Sequence, residues 1–403
     1  MKRIPCILIL VFFLFFSFSC QNQKVSNETT PLKLAVKMAD SDMKRNSEGW
    51  MIDFREKPKW EYTHGLMMNA YLALYSETSG EKYFDYVKAF ADTMINGSGE
   101  ILTYNLSDYN IDRVSPGRFL IKLYQIDPKQ KYLEAIKLLR SQMKGHPRTS
   151  EGGFWHKKRY PHQMWLDGLY MGSPFLALYG REFDEPGLLN DAVHQIMLVN
   201  KHHYDPETGL FYHGWDESHK QEWSDPETGL SPNFWGRAVG WYAMALVDVM
   251  DYLPEGHPGR DSVLTVIGRM AAGIVKYQDS DSGVWYQVLD MGDRSGNYLE
   301  SSASTMFTYF LFKAINNGYI EVDKYKSAAR KAYKGILNNF IKEESDGTIS
   351  ITNVCAVAGL GGDPKRDGSY EYYVSEPVRE NDPKAIGPFI MASLEMNKSL
   401  EKQ

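Results

Sequence analysis

Two kinds of helix-forming segment alternate along this chain from residue 31 to residue 397. The first kind is amphipathic, with charge on one face: PLKLAVKMADSDMKR (31–45), EKYFDYVKAFADTMI (81–95), KYLEAIKLLRSQMK (131–144), GLLNDAVHQIMLVN (187–200), DSVLTVIGRMAAGIVKY (261–277) and KYKSAARKAYKGILNNFI (324–341). The second kind is apolar nearly all round and rich in small residues: HGLMMNAYLALYSE (64–77), SPGRFLIKLYQI (115–126), SPFLALYGREF (173–183), GRAVGWYAMALVDVM (236–250), SSASTMFTYFLFKAI (301–315) and IGPFIMASLEMN (386–397). A helix that is apolar all round has to be buried, whereas an amphipathic one lies at a surface. Strict alternation of the two predicts an inner ring of six helices wrapped by an outer ring of six, an all-α (α/α)6 barrel with short hairpins at its rim. The same helix pairs stacked in a row would give an open solenoid. The count of six, and a last segment that is again of the inner type, favour closure. No linker divides the region, so residues 32–403 read as one domain.

Three aromatic patches, GGFWHK (152–157), GLFYHG (209–214) and GVWYQV (283–288), each follow an outer segment and precede an inner one. They predict short strands or hairpins at the barrel rim. The duplicated DPETGL (205–210 and 225–230) supplies turn chemistry beside one of them. AGLGG (358–362) follows no strand pattern and predicts a flexible turn.

In such a barrel every outer-to-inner connection emerges at one end, the end that carries the N-termini of the inner helices. The unusual residues fall in those connections. Asp112 precedes Ser115-Pro116, and Asp167 precedes Ser173-Pro174; each Ser-Pro predicts a helix cap and first turn. His156 and His213 sit in the rim patches. Trp235 and Arg237 open the fourth inner helix, Glu300 opens the fifth, and RDGSYEYYVSEPVREND (366–382) precedes the sixth. Loops held by a rigid scaffold are the usual address of function. Plainer roles exist for each: caps for the two acids, a rim ion pair for Arg237, core packing for Trp155, Trp165, Trp235 and Trp241.

Other chemistries find no support. His156 and His213 lack metal-motif company, so no metal is expected. No G-x-S-x-G elbow, phosphate loop or strand-anchored dinucleotide motif is present. With 45 basic and 51 acidic residues and no basic stripe or run, no nucleic-acid partner is expected. Nine Trp and 26 Tyr suit a surface that stacks against sugar rings.

The N-terminal MKRIPCILILVFFLFFSFSCQNQ has a basic start and an apolar run too short to span a bilayer. Residues 1–20 read as a lipoprotein signal peptide, with Cys20 as the lipidated residue, and residues 21–31 as a polar tether. An ordinary signal peptide cut nearby is the alternative. The expected location is the cell envelope of a Gram-negative bacterium, periplasmic or outer membrane, with the lipid as the only membrane contact and the protein a monomer. Cys355 is then the one cysteine of the folded region, so no disulfide is expected and stability rests on the core.

PHQMWLDGLYMGSP (161–174) places the acid Asp167 among Met164, Trp165, Leu166, Leu169, Tyr170 and Met171. Carboxylates are seldom put among apolar groups without a partner. Apolar neighbours disfavour the charge; a helix N-terminus and Arg237 favour it. The sequence leaves the balance open, and such a tension is one way to make an acid–base catalyst.

Taken together, QMWLDGLYM, FYHGWDES, FWGRAVGWYAMALVDV, GVWYQVLD and GSYEYYVSEPVREND resemble unsaturated glucuronyl or rhamnogalacturonyl hydrolases, family 105 of the glycoside hydrolases. The resemblance runs from Trp60 to Pro388. It implies the same (α/α)6 barrel and an uncommon reaction, hydration of the 4,5 double bond that polysaccharide lyases leave on a uronyl residue, with no cofactor. It places the proton-transferring acid on Asp167 and a supporting acid on Asp112. His156, Trp165, Met171, His213, Trp235, Arg237 and Trp241 match positions that line the sugar pocket. Tyr62, in KWEYTHG, joins them although its surroundings depart from the family pattern. The expected substrate is an unsaturated oligosaccharide, with unsaturated galacturonyl-rhamnose from pectin first and glucuronyl units of ulvan-type polyuronides second. A conventional inverting glycosidase, with carboxyls about 6.5–9.5 Å apart, and a non-catalytic glycan-binding lipoprotein are the rival readings.

Overall fold

The computed structural model describes residues 30–402. The signal peptide, Cys20 and residues 21–29 of the tether lie outside the described residues. In chain order the helices are α1 (Pro31–Arg45), α2 (Tyr62–Thr78), α3 (Glu81–Met94), α4 (Gly117–Ile126), α5 (Gln130–Gly145), α6 (Leu166–Glu182), α7 (Gly187–His202), α8 (Gly236–Met250), α9 (Arg260–Lys276), α10 (Ser301–Asn316), α11 (Val322–Asn339), the short α12 (Tyr370–Ser375) and α13 (Pro383–Glu401). Thr30 caps α1 through its hydroxyl, which accepts from Lys33 N–H, and Pro31 occupies the first helical position, where a missing N–H costs nothing.

α2, α4, α6, α8, α10 and α13 pack side by side, and α13 returns to α2, so the inner ring is closed rather than solenoidal. α3, α5, α7, α9 and α11 each fold back on the preceding inner helix, and α1 covers α13. The last helix pair is thus built from the two ends of the domain. Burial follows the two sequence patterns. Every residue of α8 is buried. α11 buries only Tyr325, Ala329, Ala332, Tyr333, Gly335 and Ile336, one stripe of a helix. Small residues let the inner helices approach closely: a Cβ on Gly65 of α2 would come within 2.7 Å of the Pro116 backbone, just ahead of α4.

The two ends of the barrel differ. At one end the connections are short: 79–80, 127–129, 183–186, 251–259 and 317–321. This end is tied across the ring by charge. Asp248 of α8 lies 2.6 Å from Arg118 of α4 and 2.8 Å from Lys313 of α10, and accepts from Tyr309 at 2.6 Å. Burial opposes the Asp248 charge, but Lys313 and Arg118 outweigh it and hold the carboxyl below its usual range. At the other end the connections are long: 46–61, 95–116, 146–165, 203–235, 277–300 and 340–382. These form the mouth.

Three small antiparallel pairs shape the rim: β1 (Gln163–Trp165) with β2 (Gly214–Asp216), β3 (Ile341–Glu343) with β4 (Ile349–Ile351), and β5 (Val354–Cys355) with β6 (Val378–Arg379). The aromatic patches are less regular than expected. They make isolated bridges, Arg148↔Phe154, Tyr204↔Phe211 and Tyr286↔Leu299, and only Gly214 of the second patch enters a strand. The turns consume the available backbone. In both DPETGL copies the Asp N–H donates to the Leu carbonyl, the Gly N–H donates back to the Asp carbonyl, and the Thr hydroxyl donates to the Asp side chain. DSDSGV (279–284) is a third copy of the same loop, with Ser282 in place of Thr. Gly209, Gly229 and Gly283 take φ of 80°, 75° and 77°, which requires glycine.

Two expected helix starts move. α6 begins at Leu166, so Asp167 lies in its first turn, and Ser173-Pro174 is inside the helix rather than at its cap. Pro174 removes one helical hydrogen bond, but every residue from Gly168 to Gly180 is buried, and packing overrides that loss. α4 begins at Gly117 without a side-chain cap. The chain enters it from a 3-10 turn at Ile111–Arg113, and the Gly117 N–H already donates to the Val114 carbonyl, so Ser115 has no cap to make. AGLGG is not merely a flexible turn, because it delivers Leu360, fully buried, against Trp165 and Trp223. Cys355 is free and buried.

Candidate active site

The β1–β2 pair brings the first candidate residues together. Trp165 pairs with Gly214, and the Leu166 N–H donates to the His213 carbonyl at 3.0 Å. Asp167, one residue further and in the first turn of α6, therefore faces His213. Asp167 Oδ2 lies 3.2 Å from His213 Nε2. The angle is outside hydrogen-bonding range, and both atoms are buried without a partner. The other imidazole nitrogen, Nδ1, is 2.7 Å from the hydroxyl of Tyr373 on α12.

Asp112 is placed by a second link. Ile111 N–H donates to the His156 carbonyl, Asn110 bridges to Lys157, and Gln142 of α5 holds the Asn110 carbonyl. The Asp112 carboxyl then meets Lys157 Nζ at 2.5 Å and lies 3.5 Å from His156 Nε2. Burial opposes its charge, but Lys157 and the neighbouring His156 and Arg113 together outweigh it, and the carboxyl is held below its usual range. His156 is fully buried and its pKa is pushed down to about 4 by that burial, so its ring is neutral at neutral pH. It stacks on Trp165 at 4.4 Å, and Tyr160 stacks on the same indole at 5.1 Å, beside the imidazole. Trp165 is fixed by donating to Gln163.

Arg237 opens α8 and is 1% exposed. One Nη donates to the Cys355 carbonyl, while Nε and the other Nη have no partner. The rim ion pair that the sequence allows does not form. The Glu300 carboxylate caps α10 at Ala303 and binds Ser302 and the Cys355 N–H, and Asp382 is taken by Lys384 and Arg379. A buried guanidinium with two unused donors is a site for an incoming carboxylate. Trp235 lies under Arg237 and stacks on Tyr373. Tyr62, at the start of α2, packs edge-on against Trp241, and its hydroxyl is pushed well above 10 by burial and by Asp53. Trp241 also packs on Tyr170 and belongs to the barrel wall. Met171, one helical turn beyond Asp167, is fully buried in the main core.

Eight of the ten candidate side chains thus meet at the mouth, and Trp241 and Met171 form the wall behind them. A cleft of about 730 Å³ opens beside them, lined by Tyr62, Asn110, Asp112, Arg113, Lys157 and Arg159. Among the described residues no group of three or more His, Cys, Asp or Glu converges to hold a metal ion. Sequence reasoning missed Lys157, Tyr160, Tyr373 and Gln287. Lys157 sits next to His156 inside the patch GGFWHK, and Tyr373 lies in a segment already marked for the mouth; those are the signals that were available.

A closed helical barrel whose mouth combines two acids, an unpaired buried arginine and stacked aromatics is the layout of a carbohydrate-processing enzyme. The model of Glycosyl Hydrolase Family 88 matches residues 34–400, and the chain belongs to that family. A solved glycoside hydrolase of family 105 from C. acetobutylicum is 46% identical, with a TM-score of 0.86 over 90% of this chain and 98% of that one. The resemblance to family 105 drawn from the five sequence blocks therefore holds, and the chain is a glycosidase. Among curated relatives, a 24.9 kDa protein in the picA locus of Rhizobium radiobacter is 40% identical over 234 residues, 56% of this chain and 97% of its own length. The unsaturated rhamnogalacturonyl hydrolase YesR of Bacillus subtilis is 27% identical over 297 residues, 72% of this chain and 78% of its own.

Proposed function

We propose that this glycosidase removes 4,5-unsaturated uronyl residues from lyase-generated oligosaccharides by hydrating their enol ether double bond. One observation carries the reading. Of the two candidate acids, Asp112 is already paired with Lys157, while Asp167 Oδ2 makes no hydrogen bond and faces an unpartnered imidazole nitrogen. A conventional inverting mechanism needs two exchanging acids; hydration of a double bond needs one.

In this reaction Asp167 gives its proton to carbon 4, and positive charge develops at carbon 5 beside the ring oxygen. A water adds at carbon 5 and returns a proton to Asp167, which regenerates the acid. The resulting hemiketal opens to a ketone, and the aglycone leaves from carbon 1. Arg237 receives the uronate carboxylate. Asp112, kept charged by Lys157, accepts sugar hydroxyls and supports the positive charge of the transition state. No cofactor takes part.

The name of the Bacillus subtilis relative supports unsaturated galacturonyl-rhamnose from pectin as the first substrate, with glucuronyl units of ulvan-type polyuronides second. The enzyme works as a monomer in the cell envelope of a Gram-negative bacterium, held by lipid on Cys20.

Incubation with unsaturated galacturonyl-rhamnose and with unsaturated glucuronyl disaccharides, followed by ultraviolet absorbance, tests the reading. Loss of the chromophore with either one supports it, and its persistence with both overturns it.

A further inference from the structure

We propose that Tyr373 is a positioning residue that locks His213 in its Nε2–H tautomer and so leaves Oδ1 of Asp167 as the oxygen that carries the transferable proton. The second half rests on the hydration reading above; the first does not.

Tyr373 is held from three sides. Its backbone carbonyl accepts from Gln287 Nε2 at 2.9 Å, and Gln287 Oε1 in turn accepts from Trp235 Nε1 at 3.1 Å. Its ring lies parallel to Trp235, with centroids 5.8 Å apart and an interplanar angle of 13°. The helix that carries it, α12, is capped by Ser369. The ring is fully buried and its hydroxyl is 2.7 Å from His213 Nδ1, its one hydrogen-bond partner among the described residues.

A phenol and an imidazole nitrogen can share a hydrogen bond in either direction. Burial keeps the phenol protonated, pushing its pKa well above 10. That proton has one acceptor within reach, Nδ1. If Nδ1 carried its own hydrogen, the phenol hydrogen would be buried with nothing to bind, an arrangement that folded proteins avoid. Tyr373 therefore donates, Nδ1 is the acceptor, and the ring hydrogen of His213 sits on Nε2. Nε2 lies 3.2 Å from Asp167 Oδ2 without hydrogen-bonding to it, and catalytic contacts of this kind tighten when substrate binds. With Oδ2 facing a donor, the transferable proton belongs on Oδ1. The reverse tautomer would aim a lone pair at Oδ2 and misplace that proton. Gln287 acts one step further out, by fixing Tyr373.

The test labels histidine with nitrogen-15 in the full-length protein and reads the His213 tautomer from its two-bond proton–nitrogen couplings, assigned with a His213→Gln variant. The expected result is a protonated Nε2 and a hydrogen-bonded, unprotonated Nδ1 in the wild type. In Tyr373→Phe that signature is lost, the other histidine signals are unmoved, and kcat on an unsaturated disaccharide falls by at least about tenfold with KM within about twofold. A wild-type His213 protonated on Nδ1 overturns the proposal, as does a Tyr373→Phe enzyme that keeps both the tautomer and its kcat. The wild-type measurement needs no variant to fold. If the hydrolase reading itself is wrong, the wild type fails to turn over any unsaturated disaccharide, while the tautomer signature is unaffected.

Discussion

Lys157 Nζ lies 2.5 Å from Asp112 Oδ2, with the two side chains 14% and 11% exposed. This contact divides the work of the two acids at the mouth, because an acid held as a carboxylate by a neighbouring ammonium does not give up protons near neutral pH. Lys157→Met removes the compensating charge and leaves a mostly buried carboxylate. Breaking such a pair costs roughly 3 kcal/mol, and the sugar pocket loses a fixed charge. The expected outcome is a lower unfolding temperature at pH 7 and a fall of about a hundredfold in kcat/KM. Thermal unfolding and steady-state kinetics check both; an unchanged kcat/KM removes Asp112 from the chemistry.

Arg237 carries two unpartnered nitrogens into the mouth. If they receive the uronate carboxylate, Arg237→Met loses a charge-assisted bidentate contact worth about 1.5–3 kcal/mol. KM should rise by about ten- to a hundredfold, with a smaller change in kcat. A substrate whose uronate is converted to its amide should bind the wild type weakly and the variant no worse. Equal discrimination by both enzymes assigns the carboxylate to another residue.

Acid should destabilise the fold well above the ordinary carboxylate range. His64, His146 and His156 have pKa values pushed down to about 4, and His203 to about 3, in each case chiefly by burial. The unfolded chain takes up these protons near 6.5 while the folded state refuses them. Their contribution to stability is complete above 6.5 and is lost as pH falls toward 4. Asp42 opposes them, since burial raises it to about 6 and the folded state holds its proton longer. The net slope is roughly 4 kcal/mol per pH unit at its steepest, the value for three protons. Urea titrations between pH 7 and 4.5 should show a steep loss of unfolding free energy; a flat profile contradicts the buried neutral histidines.

α9 approaches the first DPETGL turn most closely at Gly273. A Cβ on Gly273 would lie 2.1 Å from the Gly209 carbonyl oxygen, whereas a Cβ on Gly268 of the same helix meets nothing within 4 Å. Gly273→Ala should cost about 2 kcal/mol by forcing backbone from backbone. Gly268→Ala should add about 0.8 kcal/mol through helix propensity alone. Opposite shifts in the denaturation midpoint are expected, and equal shifts rule out the close approach.

The ring of helices was readable because burial writes itself into period and composition. α1 and α8 begin and end where the pattern places them. α6 was harder. Its first two turns contain Gly168, Gly172 and Tyr170, weak helix formers, and Ser173-Pro174 imitates a start; tertiary burial overrode both. The site was half legible. Acids and histidines stand out by type, but Lys157 lies in the triplet KKR, which looks like a solvated patch, and its bridges to Asn110 and Tyr160 fix it at the site. Tyr373 is one of three tyrosines in YEYY, and sequence alone does not say which of them faces His213. Pairings between distant loops carry no local signal.

The most direct measurement follows the reaction in heavy water by proton NMR, with wild type and Asp167→Asn side by side. Hydration by a single acid delivers one deuterium to carbon 4 from one face, in step with loss of ultraviolet absorbance. Asp167→Asn should fold normally and lose about a thousandfold or more of this activity. Release of the aglycone with no deuterium at carbon 4 and the chromophore intact, or full turnover by Asp167→Asn, contradicts the central claim.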